Sequence, residues 1–233
     1  MIKMLGRPLA DDILAEVKEK IDELCEEDYP PVLDVICSDT NQPYYKGIVK
    51  DAAYCGIQVN TYHNAEEWVK AADWLDNGDG VICLTGENIP AYCKCLNLDG
   101  GDWEPCTAEA IIDLLKYYDI PIEGANAVVI GRSKRVGKPV ARLLTLNDAT
   151  VTLCHSKTKH LPSHVRMADI IISCAGNAEL DKTCYIRPDQ VVVDVGGDFI
   201  GHERGKALAP AVGGVGPVTR AVLMRHVVKQ HFE

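Results

Sequence analysis

The stretch Ala127-Val-Val-Ile-Gly-Arg-Ser-Lys-Arg-Val-Gly-Lys-Pro139 decides the fold. Its first four residues are apolar, which predicts a short buried strand that stops at Gly131. The turn that follows supplies Ser133 and then Gly137, and a helical pattern begins at Pro139. Strand, small-residue turn and helix start together make an anion cradle: amide groups and the positive end of the helix dipole face a phosphate. The pattern departs from G-x-G-x-x-G, because Ser133 and Val136 stand where its second and third glycines would. Taken alone, the segment also reads as an ordinary strand-to-helix turn.

Downstream residues sharpen it. Ala149-Thr-Val-Thr-Leu153 is a second alternating strand that runs into Cys154-His-Ser-Lys-Thr158. In a Rossmann unit this second strand end meets the adenosine ribose, where an acidic residue selects NAD and basic or hydroxyl groups accept a 2′-phosphate. Here there is no Asp or Glu. Ser156, Lys157, Thr158 and Lys159 are present, with Arg132 in the first turn. The chemistry favours NADP and leaves NAD open.

With 233 residues, the chain makes one large or two small domains. A hydrophobic fraction of 47% with 25% charged residues fits a globular protein. The net charge of −10 argues against nucleic acid or an anionic membrane as the main partner. The start Met1-Ile-Lys-Met-Leu-Gly-Arg-Pro has no apolar core of signal-peptide length and no segment approaches spanning length, so cytoplasm is the default location. Of the ten cysteines, Cys37, Cys83, Cys154 and Cys174 fall in or at the end of apolar runs and read as small hydrophobes. Cys93-Lys-Cys95 lacks zinc-site spacing, so no metal is expected.

Along the chain, the periodicity predicts a helix over 8–26, a strand over 31–37, a helix over 44–55 closed by Gly56, a strand over 57–62, a helix over 65–75 and a strand over 80–84. This alternation makes the first half a parallel α/β layer. An irregular section over 86–104 precedes a helix capped by Pro105-Cys-Thr107. Beyond the nucleotide unit, buried strands at 168–176 and 191–197 end in small residues, at the carboxyl-end crevice where α/β ligands sit. The final helix is expected over 218–231.

These residues carry a resemblance. Gly131-Arg-Ser-x-x-Val-Gly-x-Pro139, Ala149-Thr-Val-Thr-x-x-His-Ser-x-Thr158, Ala168-Asp-Ile, Asp194-Val-Gly196 and Gly213-Gly-Val-Gly-Pro-x-Thr219 occur in this order. Together they resemble the methylenetetrahydrofolate dehydrogenase/cyclohydrolase family (FolD type) over residues 105–233. Leu5-Gly6, Pro30, Leu33, Tyr44 and Gly56-Ile57 extend the resemblance more faintly to the amino-terminal half. It implies an α/β protein with two parallel-sheet domains, the carboxy-terminal one Rossmann-like, and a cleft between them. The folate-binding domain would comprise 1–116 plus 217–233 and the NAD(P)-binding domain 117–216. The family further implies a tetrahydrofolate derivative as substrate, NADP as cofactor and a homodimer. Gly131, Arg132 and Ser133 would serve the phosphates and Arg132 with Ser156 the 2′-phosphate, and Gly137, His155 and Thr158 are further cofactor-binding candidates. Gly176, Gly197 and the run Gly213, Gly214, Val215, Gly216, Pro217, Thr219 would lie along the adenosine and nicotinamide groups.

The catalytic helix departs from the family. Its pattern Tyr-x-x-x-Lys-x-Lys, anchored on Tyr44 and on Gly56, places the first lysine on Ile48 and the second on Lys50. Lys46 and Lys50 stand two residues from Ile48, about 200° round a helix, so only a local shift aided by Gly47 brings either to its place. The family glutamine aligns with Leu84, and the pterin-holding aspartate with Asp99 in Asn97-Leu-Asp-Gly100, with Asp102 nearby. The catalytic candidates are thus Tyr44, Lys50 and Asp99. Hydride transfer needs alignment, whereas hydrolysis of the methenyl product needs proton transfer from a positioned base. The expected activity is an NADP-dependent methylenetetrahydrofolate dehydrogenase with weak or lost cyclohydrolase. A non-catalytic NAD(P)-binding regulatory or complex subunit, a fully bifunctional enzyme, and an oxidoreductase for another small, pterin-like substrate remain as alternatives.

Overall fold

The computed structural model describes residues 1–24, 29–72, 80–84, 97–99, 102–177, 180, 186–199 and 205–232. In chain order the first elements are β1 (Ile2–Lys3), α1 (Gly6–Leu24), β2 (Val32–Ile36), α2 (Pro43–Cys55), β3 (Gln58–Tyr62), α3 (Ala65–Ala72) and β4 (Gly80–Cys83). Next come α4 (Cys106–Tyr117), β5 (Asn126–Ile130), α5 (Gly137–Leu146), β6 (Thr150–Cys154) and α6 (Leu161–Met167). The chain closes with β7 (Ile170–Ser173), β8 (Val191–Asp194), β9 (Ala207–Ala209) and α7 (Val215–Phe232). Two compact units emerge: residues 1–9 with 107–219, and residues 10–106 with 220–233.

The first unit holds a six-stranded sheet, all parallel, in the order β1-β9-β8-β7-β5-β6. Strands covered on both faces read as continuous apolar runs, and β7 (Ile-Ile-Ile-Ser) and β8 (Val-Val-Val-Asp) are buried throughout. Register places Val128, Ile171 and Val192 in one row across β5, β7 and β8. All three belong to a core that also takes in Ile130, Val165, Ile186 and Phe199. Burying each such side chain contributes about 1.5–3 kcal/mol, which fixes the sheet against a one-residue slip. Gly6 closes this unit at its start, because a Cβ there would lie 1.9 Å from the Gly214 carbonyl oxygen.

The second unit has a three-stranded parallel sheet, β3-β2-β4, with Ile36, Trp68, Val81 and Cys83 in its core. Asp34, 3% exposed in the middle of β2, is tolerated because Trp68 Nε1–H and Asn60 Nδ2–H donate to it at 2.8 and 3.1 Å. Helix α2 begins with Pro43 at its first turn, where the missing N–H costs nothing, and ends on Gly56 at φ 83°. Ile48, Ala52 and Cys55 are its buried stripe, at the i, i+4, i+7 spacing of one helical face.

Candidate functional site

The strand-turn-helix of the opening stretch forms as a tight unit. Gly131 adopts φ 121°, and a Cβ there would meet the Cys174 carbonyl oxygen and Sγ at 2.8 Å. Helix α5 starts at Gly137, ahead of the expected Pro139. Gly137 does the work of a third motif glycine: its Cβ would stand 2.0 Å from the Gly131 carbonyl oxygen, so only glycine lets helix and strand end approach so closely. Ser133, at the second-glycine position, turns its hydroxyl inward and accepts the Val136 and Gly137 N–H groups at 3.1 and 3.3 Å. The first amides of α5 are thereby satisfied before any ligand arrives.

The end of β6 is equally ordered. His155 N–H donates to Thr158 Oγ1 at 2.8 Å, and Lys157 N–H donates to His155 Nδ1 at 3.1 Å. Nδ1 is therefore the acceptor of that pair. An open pocket of about 470 Å³ joins the two turns, lined by Gly131, Arg132 and Ser133 on one side and His155, Ser156 and Thr158 on another. Six of the residues singled out from sequence thus meet in one concavity. In the third wall, Cys174, Ala175 and Asn177 after β7, the sequence points to a cofactor role only for Gly176 between them, and Cys174 reads as a small hydrophobe. The Cys174 thiol is pushed up to about 11, first by burial and then by the nearby Asp198 carboxylate, so it stays protonated at neutral pH.

The remaining cofactor candidates lie outside that lining. Gly137 is buried behind it. Gly176 sits between two lining residues at φ 65°, and Gly197 occupies the turn after β8 at φ 71°. Gly213 (φ 82°) accepts the Gly6 N–H through its carbonyl at 2.9 Å, and Gly214 N–H donates to the Pro210 carbonyl. Val215, Gly216, Pro217 and Thr219 form the start of α7 rather than a loop, with Thr219 Oγ1 donating to the Val215 carbonyl at 3.2 Å.

On α2, in the second unit, Tyr44 is half-buried, Lys46 and Lys50 are exposed, and Ile48 is 0% exposed. The helix runs unbroken through Gly47. That glycine makes room for Arg220: a Cβ at Gly47 would stand 2.5 Å from the guanidinium Nε, which reaches across to donate to Asp51 Oδ2 at 2.7 Å. Both partners are largely buried, so removing either leaves an uncompensated charge. Leu84 is half-buried at the end of β4, where its N–H donates to the Ile36 carbonyl. Asp99 has a local role that sequence reading missed. Its Oδ1 accepts the N–H of Cys106, the first residue of α4, at 2.9 Å, so this carboxylate caps a helix for which the sequence pointed to Pro105-Cys-Thr107. Asp102 is exposed. Cys93 and Cys95 lie outside the described residues. Among the described residues no group of three or more His, Cys, Asp or Glu side chains stands ready for a metal, and no helix is long and apolar enough to cross a membrane.

Comparison with known proteins places this arrangement. Residues 105–233 match the family described as tetrahydrofolate dehydrogenase/cyclohydrolase, NAD(P)-binding domain. The bifunctional protein FolD of Kosmotoga olearia is 33% identical over 95% of this chain and 94% of its own length. That of Carboxydothermus hydrogenoformans is 45% identical, over 56% of this chain and 51% of the relative. Among solved structures, the bifunctional FolD enzyme of Campylobacter jejuni aligns with a TM-score of 0.85 at 30% identity, covering 99% of this chain and 98% of that one. The Trypanosoma brucei FolD enzyme, solved with NADP cofactor and inhibitor, gives 0.84 at 25% identity, covering 99% and 97%. The chain belongs to the tetrahydrofolate dehydrogenase/cyclohydrolase family.

Proposed function

We propose that the protein is an NADP-dependent methylenetetrahydrofolate dehydrogenase whose cyclohydrolase step is weak or lost. One observation carries the reading. Position 48, where the family pattern puts a lysine, holds a fully buried isoleucine, while Lys46 and Lys50 stand exposed on an unbroken helix.

The first unit fits a dinucleotide: glycine removes the Cβ atoms that would fill the cradle at Gly131 and Gly137, and the pocket opens beside the α5 N-terminus. Gly131, Arg132 and Ser133 would hold its phosphates, and Arg132 with Ser156 a 2′-phosphate, since no carboxylate stands at the end of β6 to repel one. When bound, the nicotinamide supplies a hydride acceptor. The chain's part is to orient that ring and to keep the adenosine end fixed. Tyr44 on α2 and Asp99 ahead of α4 would orient the folate, and Lys50 on α2 remains the candidate cation. Hydrolysis of the methenyl product needs a group that shuttles a proton, which typically contributes about 10²–10⁴ in rate. An isoleucine supplies none, and the Arg220 guanidinium is engaged by Asp51.

A non-catalytic nucleotide-binding role is the second reading, favoured by the apolar residues at both 48 and 84. Folate binding separates the two. Purified protein mixed with methylenetetrahydrofolate and NADP or NAD should produce reduced cofactor and methenyl product. Nucleotide binding without turnover moves the protein to the second reading. A homodimer, carried over from the family resemblance, is checked by light scattering.

A further inference from the structure

The turn after β8 contains a buried carboxylate that the reaction itself does not use. Asp198 is 0% exposed. Its Oδ2 accepts the Ser173 hydroxyl at 2.6 Å and the Ala175 N–H at 3.0 Å, and its Oδ1 accepts the Asn177 N–H. A second aspartate holds it in place: Asp194, at the end of β8, accepts the Asp198 N–H at 2.8 Å and the Phe199 N–H at 3.0 Å. Phe199, 2% exposed, anchors the turn in the core. Gly196 clears the path, because a Cβ there would lie 2.6 Å from Asp198 Oδ2 and 2.8 Å from the Gly176 nitrogen.

We propose that Asp198 is a positioning residue for the cofactor: its carboxylate sets the shape of the pocket wall formed by residues 174–177. The proposal rests on the dinucleotide reading of that pocket. Ala175 and Asn177 line the pocket, while Asp198 lies behind them. Burying a carboxylate is costly unless donors surround it, and here three do. Two of those donors are backbone amides bonded to different oxygens, so both acceptor atoms are required. Two amides of this wall, those of Ala175 and Asn177, therefore turn inward to Asp198. Anionic groups of the ligand are left to the opposite wall, where Arg132 and Ser133 stand.

This geometry makes Asp198→Asn a sharp substitution. An asparagine offers oxygen to one amide and an N–H to the other, so one of the two backbone donors always faces a donor. The wall should open there while Asp194 and Phe199 still hold the turn. NADP affinity, read by titration calorimetry without folate, should fall by about tenfold or more. The folate KM at saturating NADP should stay within twofold of wild type. Hydrogen exchange at the Ala175 and Asn177 amides should accelerate. Should Asp198→Asn fail to fold, Ser173→Ala reads the same contact through one lost bond, with a smaller fall in affinity expected. A lower melting temperature with unchanged NADP affinity in the folded variant overturns the proposal. Wild-type protein that binds neither NADP nor NAD overturns it together with the cofactor reading.

Discussion

The cradle around Gly131 and the face of α2 around Ile48 are both short motifs with a strong family pattern, and they have fared differently. In the cradle, every departure from the glycine fingerprint is compensated locally. Ser133 replaces a glycine and caps the first amides of α5, and Gly137 takes over the close approach one residue later. On α2, the departure is completed rather than compensated. Ile48 joins Ala52 and Cys55 in the buried stripe, and Gly47 gives its space to an Arg220–Asp51 pair. On the function proposed above, the cradle is a binding site made of backbone shape, which tolerates sequence change as long as the shape survives. On the same proposal α2 is a proton-transfer site made of one side chain, which does not.

Substitutions at four positions break or sharpen that contrast. The largest effect is expected for Ile48→Lys. It buries an ammonium at a position that is 0% exposed, and Asp51 is already engaged by Arg220. Stability should fall by about 3 kcal/mol or more, read from the urea midpoint, with hydrolysis restored in part at most. Gly137→Ala follows: a methyl group 2.0 Å from a backbone oxygen forces helix and strand apart. A loss of about 1–3 kcal/mol is expected, with NADP binding by calorimetry weakened far beyond what the stability change explains. Next is Arg132→Ala, which should weaken NADP about tenfold, ~1.4 kcal/mol, and NAD clearly less. An equal loss for both cofactors contradicts the 2′-phosphate role. The smallest effect separates the two roles of Asp99. Asp99→Ala should cost about 1 kcal/mol through the lost α4 cap, whereas Asp99→Asn keeps an acceptor for Cys106 N–H and holds the melting temperature. A raised folate KM in Asp99→Asn then reports ligand contact alone.

The fold was legible where periodicity had room to show itself. The runs Ile170–Ser173 and Val191–Asp194 announce buried parallel strands, and Gly56 marks the end of α2 as the left-handed residue it turns out to be. β1 and β9, of 2 and 3 residues, are too short to carry a pattern, and they pair only because the chain brings Ile2 beside Ala207. The seven-residue α6 hides for the same reason. The final helix starts at Val215 rather than 218, because Gly216 and Pro217 read as loop residues although proline suits a first turn. In the site, glycines and charges were visible as letters, whereas Asp198, Ala175 and Asn177 depend on two strand ends meeting. The Asp99 cap was missed because the residue lies seven positions before the N–H it accepts.

The most direct measurement follows the fate of the methenyl product. Purified wild-type protein, methylenetetrahydrofolate and NADP are mixed, with NADPH and methenyltetrahydrofolate monitored together by absorbance. If the cyclohydrolase step is lost as proposed, the two should rise in equal amounts, and the methenyl compound should then decay no faster than it does in buffer. Decay faster than buffer by about 10²-fold or more would contradict the absence of a working base on α2.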